Sequence, residues 1–167
     1  MSKTETKNAQ RKAGMALAVS ERVDLKGIRL ADFSARCHNA LSSTDLPEEM
    51  RLSVHSDSSI SEDGATLIVK ASMGLHVAKP GDVTDAAPVA IEAVFELRYG
   101  LNSTEGLTKE NYDAFGESNA VFNAWPYWRE YVQSATMRLG LPGLTLPLFR
   151  FKKTVDVKKS SMRQRTV

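Results

Sequence analysis

Two stretches of alternating residues fix the fold class before any other feature does. In GATLIVKASMGLHV (64–77) Ala65, Leu67, Val69, Ala71, Met73, Leu75 and Val77 are apolar, while Thr66, Lys70, Ser72 and His76 fall between them. In PVAIEAVFELRYGL (88–101) Val89, Ile91, Ala93, Phe95, Leu97, Tyr99 and Leu101 alternate with Glu92, Glu96 and Arg98. A period of two marks a strand with one buried face. The turn-rich KPGDVTDAAP between the stretches makes them an antiparallel pair.

Two further strands precede them. EMRLSVHSDSSI alternates Met50, Leu52 and Val54 with Arg51, Ser53 and His55, and Asp63-Gly64 supplies a hairpin turn into the next strand. ERVDLKGIRLADFSARC reads as the first strand, with an irregularity at Gly27 where the apolar register moves from Val23 and Leu25 to Ile28 and Leu30. HNALSSTDLPE between them reads as a crossing loop. After residue 101 the period changes. LTKENYDAF suggests a short helix closed by Gly116, and Ser118 is placed to cap a longer one. Along that helix Val121, Trp125, Trp128, Val132, Ala135 and Leu139 recur at heptad-like steps of four and three, a packing seam within the chain or between copies. Gly140 ends it, Pro142 prevents its resumption, and Pro126 predicts a kink or a start. The expected fold is α+β: a four-stranded antiparallel sheet followed by a short helix and one long amphipathic helix.

The helix is too aromatic for a simple lid. Phe122, Tyr127 and Tyr131 lie off the seam, so apolar surface is expected to remain, with a second copy of the chain as its cover. Beyond the helix, GLPGLTLPLF can be neither helix nor interior strand, because its prolines remove backbone donors. Leu141, Leu144, Leu146 and Phe149, with Tyr127 and Tyr131, are therefore the candidates for contact with a partner.

The 167 residues suit one domain, read as residues 20–150 between a flexible basic segment (1–19) and a flexible basic tail (151–167). Net charge is +2, but residues 1–22 hold five basic and two acidic groups and residues 150–167 hold seven and one, leaving a body of 10 basic and 17 acidic. Phe151 is the one aromatic residue in those ends, which gives base stacking on nucleic acid little support. Cys37 is the single cysteine, so no intrachain disulfide is expected and the expected compartment is the cytoplasm. The apolar run AGMALAV is only seven residues long and leads into a strand, which argues against a signal peptide. No run is long enough for a membrane-spanning helix. Cys37, His38, His55 and His76 lack metal-ligand spacing, and no phosphate loop, nucleophile elbow or HExxH is present. Neither a metal, a cofactor nor an enzymatic activity is expected.

The order of four strands, the helix opening WPYWREYV (Trp125, Pro126, Tyr127, Arg129, Glu130) and the following GLPGLTLP (Gly140, Pro142, Leu144, Leu146, Pro147) resemble the SecB family of molecular chaperones, nearest those that serve toxin–antitoxin systems. The resemblance implies a homotetramer, as a dimer of dimers, with apolar grooves that hold unfolded or nascent polypeptide, including an antitoxin. It also implies contact with the export motor SecA. Its docking acids match Glu92 and Glu96, or Asp24, while the basic RFKKTVDVKKSSMRQRTV departs from the acidic tail of export members. An acidic body would keep an apolar surface soluble and attract basic clients. The competing expectations are a dedicated adaptor for one partner protein and a nucleic-acid binder using its basic ends.

Overall fold

A computed structural model of the chain describes residues 3–37, 49–78 and 88–149. Four strands, β1 (Val23–Cys37), β2 (Glu49–Ile60), β3 (Thr66–Ala78) and β4 (Val89–Leu101), form one antiparallel sheet in the order β1-β4-β3-β2. Helix α1 (Lys3–Ser20) precedes them, and α2 (Lys109–Phe115) and α3 (Val121–Arg138) follow. The crossing loop and the β3–β4 turn expected from the sequence fall outside the described residues.

Register explains which face is buried. Phe33, Ala93, Met73 and Val54 lie in one row across the sheet, and Leu30, Phe95 and Ala71 in the next. The central strands bury this face almost completely; Leu67, Val69, Leu75, Ile91 and Leu97 are fully enclosed. Strand β1 shifts register between Leu25 and Gly27, as its sequence predicts, and again between Leu30 and Asp32. Two extra residues re-aim the side chains of a long edge strand. The β2–β3 turn is closed by Gly64 at φ +70°, while Asp63 Oδ1 accepts hydrogen bonds from Ser61 Oγ (2.5 Å) and the Ala65 amide (2.9 Å).

The helical half departs from expectation in three places. Gly116 does not end α2: it keeps right-handed dihedrals (φ −57°, ψ −50°) and opens a π-helical turn, Gly116–Ala120, that runs into α3. The reason is packing. A Cβ at Gly116 would lie 2.7 Å from Ser58 Oγ and 3.3 Å from a methyl of Val69, so the glycine permits close approach of helix to sheet. Ser118 consequently caps nothing; its hydroxyl donates to the Ala114 carbonyl at 2.7 Å. Pro126 lies inside α3 on its exposed side rather than at the start of the helix. At the other end Gly140 behaves as read. It has φ +77°, its amide donates to the Met137 carbonyl (3.1 Å) and that of Leu141 to Thr136 (3.0 Å), which completes a Schellman stop.

The remaining difference is α1. Residues expected to be a flexible basic segment form an 18-residue helix against α2 and the π turn. Val19 is fully buried and Ala16 nearly so; Arg11 pairs with Glu110 (2.9 Å), Lys12 with Glu117, and Asn119 Nδ2 donates to Ser20 Oγ (2.9 Å).

Candidate functional site

Helix α3 lies on the sheet by its seam. Val121, Trp125, Trp128, Val132 and Ala135 are buried and Leu139 is half-buried. Its start is held by Tyr99, whose ring meets Phe115 edge-on at 5.0 Å and whose hydroxyl accepts a hydrogen bond from Asn123 Nδ2 (3.0 Å). Burial pushes the Tyr99 phenol up to about 12, against the opposing pull of Asn123.

The segment after α3 folds back along one flank of that helix. Since its prolines deny it regular structure, its backbone is satisfied by side chains of the helix. The Leu144 amide donates to Thr136 Oγ1 (3.1 Å), Arg129 Nε donates to the Leu146 carbonyl (2.7 Å), and Trp125 Nε1 donates to the Pro147 carbonyl (2.9 Å). Leu141 and Leu146, expected on a presented face, instead turn inward; Leu146 is 1% exposed. Leu144 and Phe149 are half-buried, Phe149 stacking on Trp125 at 5.1 Å. The residue that this segment does present is Leu148, 64% exposed, which the sequence reading passed over. The stretch is thus largely a wall, laid against Trp125, Arg129 and Thr136.

The opposite flank of α3 is open. Tyr127 is half exposed and tilts over Phe95 at 6.5 Å, and Tyr131 meets Phe33 of β1 edge-on at 6.0 Å. Between Tyr131 and the strand lies a groove of about 480 Å³, lined by Phe33, Ala35, Arg36, Tyr131, Arg138 and Leu139 among others. Phe33 is 63% exposed although it belongs to the apolar row of the sheet. The sequence reading missed it. Its signal was its place in the alternation after the Gly27 irregularity, obscured because a second shift intervenes at Asp32. Partial burial raises the Tyr131 phenol, while the nearby Arg138 charge pulls it down. Further apolar side chains stand uncovered on both edge strands: Leu25 and Leu30 on β1, and Met50, Leu52, Val54 and Ile60 on β2. Burying any of these is worth about 1.5–3 kcal/mol, so the arrangement offers several modest apolar contacts in a line.

The outer face of the sheet is polar and largely self-paired. Glu96 receives Arg29 Nε (3.0 Å) and Nη2 (2.8 Å) together with Arg98 Nε (2.9 Å), which hold its carboxyl down at about 2. Glu92 accepts from Ser34 Oγ (3.2 Å) and lies 3.8 Å from Arg36 and 3.5 Å from His76 Nε2. Asp24 is exposed, 3.8 Å from Lys26. A shallow hollow of about 420 Å³ beside Ser34, Ser53, Ser72, His55 and Glu92, lined also by Phe33, Met73 and Val94, brings together no convergent reactive set. Among the described residues no cluster of His, Cys, Asp and Glu could hold a metal, and no helix is long and apolar enough to cross a membrane.

Comparison with known proteins gives a consistent picture. No family model matches the chain. In sequence it is 29% identical over 146 residues to the SecB-like chaperones Rv1957 and MT2006 from two strains of Mycobacterium tuberculosis, covering 78% of this chain and 79% of each relative. In structure it superposes with a TM-score of 0.69, at 23% identity and over 86% of this chain and 99% of the other, on the Mycobacterium tuberculosis Rv1957 SecB-like chaperone in complex with a ChAD peptide from the Rv1956 HigA1 antitoxin. The fold is therefore SecB-like, and the resemblance read from WPYWREYV and GLPGLTLP is borne out.

Proposed function

We propose that this SecB-like chain is a molecular chaperone that holds non-native polypeptide in extended form without nucleotide, and that its clients include the antitoxin of a toxin–antitoxin pair. The observation that carries this reading is the open flank of α3, where Phe33, Tyr127, Tyr131 and Leu139 remain accessible beside a helix whose other flank is closed by residues 141–149. A holdase needs apolar contacts spread along a groove rather than a few exacting polar ones, because its clients differ in sequence. An edge strand beside the groove adds unpaired backbone groups that an extended client can meet. The relatives named above, one of them bound to an antitoxin peptide, support the same reading.

Contact with an export motor has weaker support. Of the three acids matched to motor docking, Glu96 is spent on Arg29 and Arg98, and Glu92 is shared among Ser34, Arg36 and His76. A cytoplasmic homotetramer with no catalytic activity completes the proposal.

The test is aggregation of a chemically denatured client and of a purified antitoxin, followed by light scattering with the full chain and no nucleotide. Near-equimolar chain is expected to suppress most of the scattering of both. Scattering unchanged at a several-fold excess of chain would overturn the proposal.

A further inference from the structure

The groove beside β1 is not purely apolar. Arg36 lines it at the end of the strand and Arg138 at the last turn of α3, together with the Phe33–Tyr131 pair. The two cations are not equivalent. Arg36 lies 3.8 Å from Glu92, whereas Arg138 makes no ion pair with any described residue. A basic residue in the last turn favours the helix macrodipole, and that accounts for its sign. It does not account for its place on the rim of an apolar groove, within electrostatic reach of Tyr131.

Resting on the chaperone reading above, we propose that this groove selects client segments in which an apolar residue is flanked by a carboxylate: the apolar side chain packs on Phe33, Tyr131 and Leu139, and the acid pairs with Arg138. Charge complementarity sets the occupant. The chain's own residues beyond Phe149 are a poor match, since 150–167 hold seven basic groups and one acidic. The proposal opposes the preference that total charge predicts. Residues 23–149 carry 10 basic and 17 acidic groups, so the body as a whole attracts basic peptides. At physiological salt that long-range field is screened beyond about 8 Å, and a cation on the groove rim then decides the flank.

The experiment uses the full chain and fluorescein-labelled peptides that share the core Ala-Leu-Phe-Leu-Ala and carry Glu, Gln or Lys on both sides, with affinity read by anisotropy. The wild type is expected to bind the Glu-flanked peptide about fivefold more tightly than the Lys-flanked one. Arg138→Gln is expected to erase that order, Arg138→Glu to reverse it, and rising salt to compress it. Binding of the Gln-flanked peptide is expected to survive both substitutions and to weaken in a Phe33→Ser/Tyr131→Ala variant, with circular dichroism confirming that each variant is folded. A Lys-flanked preference in the wild type, or an order indifferent to charge at position 138, overturns the inference while leaving the chaperone reading intact. If none of the three peptides binds, both fall.

Discussion

Glu96 is a buried carboxylate, 6% exposed, on a sheet face that is otherwise open to water. Two arginines explain how it stays ionised there: Arg29 grips both oxygens from the neighbouring strand and Arg98 adds a third donor from two residues along. Their hydrogen bonds lower its proton affinity from the ordinary 4.5 to about 2, and they outweigh the desolvation that would raise it. A depressed pKa means that ionised Glu96 favours the fold at any pH above 4.5, and that this contribution is lost as pH falls from 4.5 toward 2. Thermal melts across that window are expected to show a falling Tm in the wild type and a shallower fall in Glu96→Gln. At neutral pH the substitution should lower Tm by about 2–4 °C, because two guanidiniums lose their charged acceptor. Equal slopes for the two proteins would contradict this account.

Among the elements, those with a strong period were legible in the sequence and those held by local exceptions were not. The four strands follow from alternation alone, and α3 follows from the spacing of Trp125, Trp128 and Val132, because a wide apolar face leaves one arrangement that buries it. Gly116 misled because a glycine after a short helix usually stops it; only Ser58 and Val69, brought up by the sheet, reveal it as a contact position. The groove was half legible. Tyr127 and Tyr131 announced an exposed flank, but Phe33 depends on two register shifts, and the inward turn of Leu141 and Leu146 depends on Thr136 Oγ1 accepting the Leu144 amide and Arg129 Nε donating to the Leu146 carbonyl. Helix α1 was hidden because its buried face is so narrow. Val19, Ala16 and part of Met15 meet the body, while Leu17 is exposed. That narrowness fixes how the helix should respond to change. Its ion pairs, Arg11–Glu110 and Lys12–Glu117, are exposed and worth at most about 1 kcal/mol each. Removing two methyls from a fully buried side chain costs about 2 kcal/mol. Val19→Ala is therefore expected to strip hydrogen-exchange protection from residues 5–20 more than Arg11→Ala and Lys12→Ala combined. The reverse ranking would mean that charge, not packing, docks α1.

At the scale of the whole molecule the apolar face of the sheet is wider than the helix that covers it. On the open flank of α3 Tyr127 tilts over Phe95 and Tyr131 meets Phe33 of β1, while Met50, Leu52, Val54 and Ile60 stand uncovered on the opposite edge strand. A sheet edge with exposed apolar side chains invites pairing, and no covering charge or proline interrupts Met50, Leu52 and Val54 in their row. The two edges differ in character. The β1 side carries aromatic rings and arginines at the mouth of a groove, suited to a changing occupant, whereas the β2 side carries a simple aliphatic row suited to a fixed one. This division predicts that any self-association runs through β2 and that clients meet β1. Leu52→Glu places a charge in the aliphatic row and is expected to lower the solution mass measured by light scattering and to make Tm depend more steeply on protein concentration. Binding of the Gln-flanked peptide should change less than twofold. Phe33→Ser is expected to do the opposite, weakening the peptide and leaving the mass unchanged. If Leu52→Glu abolishes peptide binding as fully as it dissociates the assembly, the groove is built jointly by two copies, and the separation of the two edges into distinct roles fails.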